Sequence, residues 1–306
     1  MATALRRRVA AFARRNEVDV LAHFRGQGLY LVAESIDCGG KGSIISAIKR
    51  DDESAGRLVL DLRLLWPSDE PDKIPLGRTN ALSEIYGTDD IIPKYEELQK
   101  FYEKTFRRRI DTIITCEPTW AGIGLQIRKK IIKTDADHTA KDTADAFAQD
   151  RHNLISRLIF PAIQDGVDVF CERNFCSSVV YQSSMDTPLS VEDILALEGN
   201  MYAARHAPHV YVICDISADT AMERKNARKK QDDCRFEVPE FMRKIEAQYR
   251  SPALKELLNS HKSMVVYVNT EKPTTPDDTD IAAREILRKL REGSLIDGAR
   301  FNYNIG

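Results

Sequence analysis

The sequence has 306 residues, of which 42% are hydrophobic and 30% are charged, and its formal net charge is −2. A chain of this length can form one large globular domain or two small ones, and its charge balance provides no basic field for nucleic acid. No apolar stretch approaches the roughly 20 residues that a membrane helix needs, so we expect neither nucleic acid nor a membrane as a partner.

Residues 1–27 are predicted to be a basic N-terminal extension, with five arginines before the first acidic residue, Glu17. This composition would suit an organelle transit peptide, but there is no serine-rich tract, so we favour a basic amphipathic helix and a cytoplasmic protein. The six cysteines are scattered without CxxC or metal-ligand spacing. They are predicted to be reduced and mostly buried.

Five short runs rich in Val, Ile, Tyr and Thr predict strands, and amphipathic segments lie between them. Continuous apolar runs are typical of strands that are covered by helices on both faces. The pattern therefore predicts an α/β fold, a doubly wound five-stranded parallel sheet, in one domain over residues 28–306. The predicted strands are Gly28–Glu34, Thr112–Cys116, Val167–Cys171, His209–Asp215 and Met264–Asn269. Helices are predicted near 41–50, 121–133, 143–164, 174–184, 190–206, 217–230, 238–259 and 279–292.

Residues 52–110 are predicted to be an insertion, because they separate the first helix from the second of these strands by more than a simple crossover requires. The segment contains a strand-like run, Arg57–Trp66, and a predicted helix, Pro93–Arg109. We expect it to pack on the edge of the domain.

A glycine-containing loop follows the first predicted strand and precedes the first predicted helix, and residues 34–43 read ESIDCGGKGS. The backbone N–H groups of such a loop and the positive end of the helix bind phosphate. Lys41 would then reach the β- and γ-phosphates of ATP. The predicted ATP-binding residues are Cys38, Gly39, Gly40, Lys41, Gly42 and Ser43.

This loop departs from the usual G-x-x-x-x-G-K-[ST] pattern at both ends. Ser35 stands at the first glycine, which is tolerable if that position does not need a positive φ. Gly42 stands where a hydroxyl normally ligates Mg²⁺. Ser43 or a water molecule is the expected substitute, and weak or absent magnesium binding is the alternative.

Four further motifs follow the loop along the chain. They are TCEP at 115–118, FAQDR at 147–151, ERNFCSSVVYQ at 172–182, and an arginine-rich segment, residues 224–237, which we call the lid. Together with the loop they resemble, in order, the motifs of the thymidylate kinase family of P-loop nucleoside monophosphate kinases, over roughly residues 28–270. The resemblance implies a P-loop kinase fold, ATP and Mg²⁺ as cofactors, and a homodimer. The implied acceptor is a deoxynucleoside monophosphate, with dTMP favoured.

The same resemblance assigns an acceptor site. Phe147 and Arg151 share a helix face, so the ring can stack on a base while the guanidinium donates to a pyrimidine carbonyl. Arg173 would clamp the acceptor phosphate, Asp37 would hold the 3′-hydroxyl, and Tyr181 would exclude a 2′-hydroxyl. Ordinary core roles for Phe147 and Tyr181 stay open. The predicted acceptor-binding residues are Asp37, Glu117, Phe147, Arg151, Arg173, Ser177, Ser178 and Tyr181.

The lid is implied to supply the remaining positive charge, because position 38 is a cysteine and the phosphate loop therefore has no arginine. A solvated helix face is the alternative for each lid arginine. The predicted catalytic residues are Lys41, Arg173, Arg224, Arg228 and Arg235.

Three more positions depart from the family pattern. Cys116 replaces the arginine of T-R-E-P, Asn174 replaces an aromatic residue or histidine, and Glu172 replaces an aspartate that helps to organise magnesium. The predicted magnesium ligands are Ser43 and Glu172. Two alternatives to a dTMP kinase stay open. One is a catalytically impaired nucleotide-binding protein of the same fold with a regulatory or assembly role, and the other is a kinase of another nucleoside monophosphate or small phosphorylated acceptor.

Overall fold

The computed structural model of the chain describes residues 27–63, 92–133, 138–227, 234–271 and 276–302. Nearly all of the predicted N-terminal extension lies outside these ranges, as do Arg228 and the last part of the strand-like run, residues 64–66. Within the described ranges, no helix combines the length and the apolar character needed to cross a membrane.

In the part of the chain that the structure describes, a sheet of seven parallel strands forms the centre of the fold, in the order β2-β3-β4-β1-β5-β6-β7. All five predicted strands are present, with bounds that differ by two residues or fewer. The α/β class and the parallel sheet are therefore confirmed, and two more strands extend the sheet from five to seven. The strands are β1 Tyr30–Glu34, β2 Val59–Asp61, β3 Thr112–Cys116, β4 Asp168–Glu172, β5 Val210–Asp215, β6 Met264–Asn269 and β7 Arg300–Asn302.

The two additional strands lie at the two edges of the sheet. Strand β2 comes from the strand-like run that begins at Arg57, and it pairs with β3. Strand β7 pairs with β6 near the end of the described chain. Strand β2 therefore confirms the predicted strand-like run, whereas β7, three residues long, is too short for a sequence period to show.

Helices cover both faces of the sheet, at or near every position where the sequence predicts one. Two of them contain single π-helical segments, Ile127–Ile131 and Ile155–Ile159. The α-helices are α1 Lys41–Ser54, α2 Tyr95–Phe106, α3 Gly122–Gln126, α4 Ala140–Leu154, α5 Phe160–Gln164, α6 Phe175–Gln182, α7 Val191–Ala196, α8 Glu198–Arg205, α9 Ala218–Ala227, α10 Pro239–Tyr249, α11 Pro252–Ser260 and α12 Pro276–Arg291.

Alternate residues of β1 point into two separate hydrophobic cores. Tyr30 and Val32 belong to the core on one face, which α4, α6 and α10 help to fill. Leu31 and Ala33 belong to the core on the other face, under α1 and α12. A strand buried on both faces is hydrophobic throughout, which is why its sequence shows no polar alternation. All six cysteines are free and four are buried, as predicted.

Strand β1 lies between β4 and β5. After β1 the chain crosses to β2, on the β4 side of the sheet, whereas after β4 it crosses to β5, on the other side of β1. The connections that follow β1 and β4 therefore leave the carboxyl ends of two neighbouring strands in opposite directions. In open α/β sheets such a reversal of strand order opens a crevice at the carboxyl ends of the strands, where ligands bind. The phosphate loop, which we define as residues 35–40, begins at this crevice.

Candidate active site

The phosphate loop has a tightly constrained backbone. Gly40 has a φ of 100° and Cys38 one of 60°, whereas Ser35 is not among the positive-φ residues. Position 35 therefore does not need a positive φ, and serine is tolerated there. A Cβ atom at Gly39 would lie 2.6 Å from the Cβ atom of Ser35, so the loop can close only with glycine there. Thr270 fixes the loop from β6, since its hydroxyl donates to the carbonyl of Gly39 at 2.8 Å.

Two cations converge on one carboxylate of the loop. The Lys41 ammonium lies 3.7 Å from Oδ1 of Asp37, and the Arg173 guanidinium donates to the same oxygen. Although burial alone would raise it, Arg173 and Lys41 hold the pKa of Asp37 below its usual value. Burial and the neighbouring Arg173 lower the pKa of Lys41. The structure thus brings together the predicted donor-side and acceptor-side cations.

Arg173 is held in place by a buried carboxylate at the end of β1. Glu34 accepts hydrogen bonds from the backbone N–H of Asn174 at 2.9 Å and from the Ser177 hydroxyl at 2.7 Å. It also accepts from the Tyr249 hydroxyl at 2.8 Å. The Ser177 hydroxyl in turn accepts from Nη1 of Arg173 at 3.1 Å, while Arg173 itself has a φ of 70°. Glu34 therefore orients Arg173 at the start of α6, although it does not contact Arg173 directly.

Tyr181 forms the wall beside this pair. Its hydroxyl donates to Oδ2 of Asp37 at 3.1 Å, and the Arg173 guanidinium lies 4.9 Å from the centre of its ring. From the lid side, Phe236 packs edge-on against the Tyr181 ring, with ring centres 5.6 Å apart. The ring is thus packed as a core residue, and its hydroxyl points to the site.

The helix α4 carries the predicted base-recognition pair. The Phe147 side chain is half-buried, whereas Arg151 is 1% exposed. The Arg151 guanidinium donates to Glu117 at 2.8 Å, to Ser178 at 3.0 Å and to Asn200. Burial raises the pKa of Glu117 to about 7, although Arg151 lowers it. Among the described residues, Oε1 of Glu117 is buried without a hydrogen-bond partner, which leaves one acceptor open beside Arg151.

The described lid arginines lie on different sides of the site. Arg224 donates at 2.5 Å to the carbonyl of Thr270, the residue that fixes the phosphate loop. Arg235 donates to the Thr143 hydroxyl at 2.7 Å, near the beginning of α4. Arg224 therefore lies near the donor loop and Arg235 near the acceptor helix.

The predicted magnesium ligands do not fit a directly held ion. A Cβ atom at Gly42 would lie 3.4 Å from Oε1 of Glu172. A side chain at this position would therefore point at that carboxylate, but glycine has no hydroxyl that could act as a metal ligand. Ser43 is exposed and lies about 100° further around the helix. Oε1 of Glu172 already accepts from Nη1 of Arg63 at 2.5 Å. Within the described ranges, no group of three or more His, Cys, Asp or Glu side chains is placed to hold a metal ion.

Sequence reasoning missed three residues of this site: Glu34, Thr270 and Arg63. Glu34 was visible as the acidic residue that ends the first strand, directly before the loop. Thr270 follows the strand β6, so the same strand-end rule would have identified it. Arg63 gives no comparable signal, since it lies 109 residues from Glu172 in the sequence.

Comparisons with known proteins agree with this geometry. A family model described as thymidylate kinase matches residues 94–280, which include the motifs on β3, α4, β4 and α6 and begin after the phosphate loop. The thymidylate kinase of Caldicellulosiruptor saccharolyticus is 28% identical over 206 residues, 67% of this chain and 95% of that protein. Those of Leptospira borgpetersenii and Finegoldia magna are 30% and 27% identical, over 51% and 63% of this chain and 73% and 90% of those proteins. The matched segment, the parallel sheet and the converging cations together show that the chain belongs to the thymidylate kinase family.

Proposed function

We propose that this protein transfers the γ-phosphate of ATP to dTMP, forming ADP and dTDP. The observation that supports this proposal best is the convergence of Lys41 and Arg173 on Asp37. Lys41 begins the helix after a phosphate loop, and Arg173 follows the neighbouring strand β4. Two cations at adjacent strand ends suit two phosphorylated ligands that must meet.

The reaction is a direct in-line transfer. An oxygen of the acceptor phosphate attacks the γ-phosphorus of ATP, the bond to the β–γ bridging oxygen breaks, and ADP leaves. Lys41 and the lid residue Arg224 stabilise the negative charge of the transferring group, while Arg173 orients the attacking phosphate. Mg²⁺ carried on the phosphates of ATP supplies further charge neutralisation when bound. Closure of the lid excludes water and so suppresses hydrolysis of ATP.

Selection of dTMP is assigned to α4 and α6. The half-buried ring of Phe147 offers a stacking surface for the base, and the polar groups proposed for its edge are Arg151 and the unpaired Oε1 of Glu117, both buried in this structure. Tyr181, whose hydroxyl donates to Asp37, would lie beneath the sugar and exclude a 2′-hydroxyl, while Asp37 would hold the 3′-hydroxyl. Ser177 and Ser178 act by holding Arg173 and Arg151 in position.

A coupled assay of ADP release tests this proposal with dTMP, dUMP, dCMP, dGMP and UMP as acceptors. We expect kcat/KM to be highest for dTMP and low for UMP, which differs from dUMP by the 2′-hydroxyl. A higher kcat/KM for another acceptor would contradict the assignment of dTMP. Binding of ATP without turnover of any acceptor would contradict the kinase assignment itself.

We also propose a homodimer, and a single kinase domain over residues 28–306 in which residues 52–110 are an insertion. The resemblance in motifs supports the dimer, and the insertion is supported by β2, which adds one edge strand to the sheet. Sedimentation equilibrium of the full chain measures the oligomeric state directly. A monomer at all concentrations would contradict the dimer.

A further inference from the structure

Three departures from the family motifs lie next to one another in the structure. Cys116 and Glu172 are register partners on the neighbouring strands β3 and β4. A Cβ atom at Gly42 would point at the Glu172 carboxylate. Burial raises the pKa of the Cys116 thiol to about 11, and Glu172 and Arg63 both act on it electrostatically. The three positions and Arg63 therefore form one cluster, rather than isolated changes.

The guanidinium of Arg63 fills the centre of this cluster. It donates to Oε1 of Glu172 at 2.5 Å, and a two-point contact with Asp61 at 3.0 and 2.9 Å fixes its plane. Nη2 also lies 3.4 Å from the hydroxyl of Ser46 on α1. The side chain is 13% exposed. Such a partly buried, bidentate guanidinium is fixed in orientation and permanently charged.

The substitutions at the neighbouring positions suit this guanidinium. Glycine at position 42 and cysteine at position 116 are small, and an arginine at 116 would add a third cation to Arg63 and to Arg128, whose Nη2 lies 3.4 Å from the Cys116 sulfur. Glutamate at 172 meets the guanidinium directly. Arg63 follows the strand β2 and lies before residue 94, outside the part of the chain that the family model matches.

We propose that Arg63 is the built-in cation of the donor site and replaces a magnesium ion held by protein side chains. This inference rests on the proposed donor site at Lys41. Arg63, which Asp61 holds in place, pairs directly with Glu172, and Lys41 is the other cation that acts on this carboxylate beside the first turn of α1, where the donor phosphates bind. Magnesium can still arrive on the phosphates of ATP, but the protein does not need it in order to hold the nucleotide.

Calorimetric titration of the full chain with ADP, in excess Mg²⁺ and separately in EDTA, tests the inference. For the wild type we expect the two dissociation constants to agree within about threefold. In Arg63→Ala, the affinity in EDTA should fall by about tenfold or more, the loss expected for one charged contact, and Mg²⁺ should restore most of it. Arg50→Ala is the matched control, since Arg50 lies on α1 but pairs with Asp280 away from the site. It should behave as the wild type.

A second pair of variants keeps the test decisive if Arg63→Ala does not fold, as judged by circular dichroism. Arg63→Lys keeps the charge and should retain tight binding in EDTA, whereas Arg63→Gln should lose it. The inference is overturned if Mg²⁺ tightens ADP binding to the wild type by tenfold or more and the Arg63 variants show the same increase. Absence of ADP binding under both conditions would instead refute the donor site, and with it the proposed function.

Discussion

Replacing Glu34 with glutamine tests whether a single buried carboxylate positions the acceptor-binding arginine. Glu34 is fully buried and accepts from two backbone N–H groups at 2.9 and 3.3 Å and two hydroxyls at 2.7 and 2.8 Å. Glutamine keeps one oxygen for the backbone groups but loses the anionic acceptor of the hydroxyls of Ser177 and Tyr249. The variant removes charge while changing the shape of the side chain very little.

The expected loss of stability follows from those contacts. Each hydroxyl bond that changes from a charged to a neutral acceptor costs about 1 kcal/mol, and removing the negative charge from the beginning of α6 costs about 0.5–1 kcal/mol more. Relief from burying the carboxylate offsets part of this sum. We therefore expect the free energy of unfolding of Glu34→Gln to be about 2 kcal/mol lower than that of the wild type.

Two assays separate this effect from general destabilisation. Urea unfolding measures the free energy of unfolding, and steady-state kinetics should show a KM for dTMP raised about tenfold with a smaller change in kcat, because Ser177 no longer fixes Arg173. Glu53→Gln is the control, since Glu53 lies on α1, is 46% exposed and is 3.9 Å from Lys49. If Glu34→Gln matched this control in both stability and KM, the proposed role of Glu34 would be refuted.

Three other changes address the donor, the base and the pH dependence. Lys41→Met should reduce kcat at least about 100-fold while the urea midpoint stays near that of the wild type, because the lysine stabilises the transition state; an unchanged kcat would exclude this loop as the donor site. Phe147→Ala should raise the KM for dTMP about tenfold and leave the KM for ATP unchanged; a stability loss of about 3 kcal/mol with an unchanged KM would show that Phe147 is a core residue. Asp150 accepts two hydrogen bonds from Thr119, but burial raises its pKa to about 6 from an ordinary 3.8. The folded state therefore binds this proton more tightly, and the stability that the proton provides is lost as the pH rises through about 6. Urea titrations at about pH 4.5 and 7.5 should show Asp150→Asn gaining about 2 kcal/mol relative to the wild type at the higher pH, and a constant difference would contradict the shift.

The central strands were predictable because each is buried on both faces. Residues such as Leu31 and Val32 must both be apolar when they point into different cores, so the sequence shows a continuous apolar run. Strands β2 and β7 lie at the edges and have three residues each, so their pairing depends on neighbours that are distant in sequence. The strand-like run at Arg57 indicated β2 but not its place in the sheet, and β7 is too short for propensity to be informative.

Much of the candidate site could likewise be predicted from position along the chain. Lys41 and Arg173 each follow a strand, and the carboxyl ends of parallel strands meet at one edge of the sheet. The contact between Arg63 and Glu172 could not be predicted, because it depends on where an inserted edge strand happens to end. The same limit applies to Ser43. Its direction relative to Glu172 depends on the rotation of α1 about its axis, in which Gly42 faces that carboxylate.

The most direct test of the central claim is transfer of label from γ-³²P-labelled ATP to dTMP, with the products separated by chromatography. The account predicts labelled dTDP in amounts equal to the ADP formed, with transfer lost in both Lys41→Met and Arg173→Ala. Release of labelled inorganic phosphate without labelled dTDP, or equal transfer by either variant, would contradict the claim that these two cations bring donor and acceptor together.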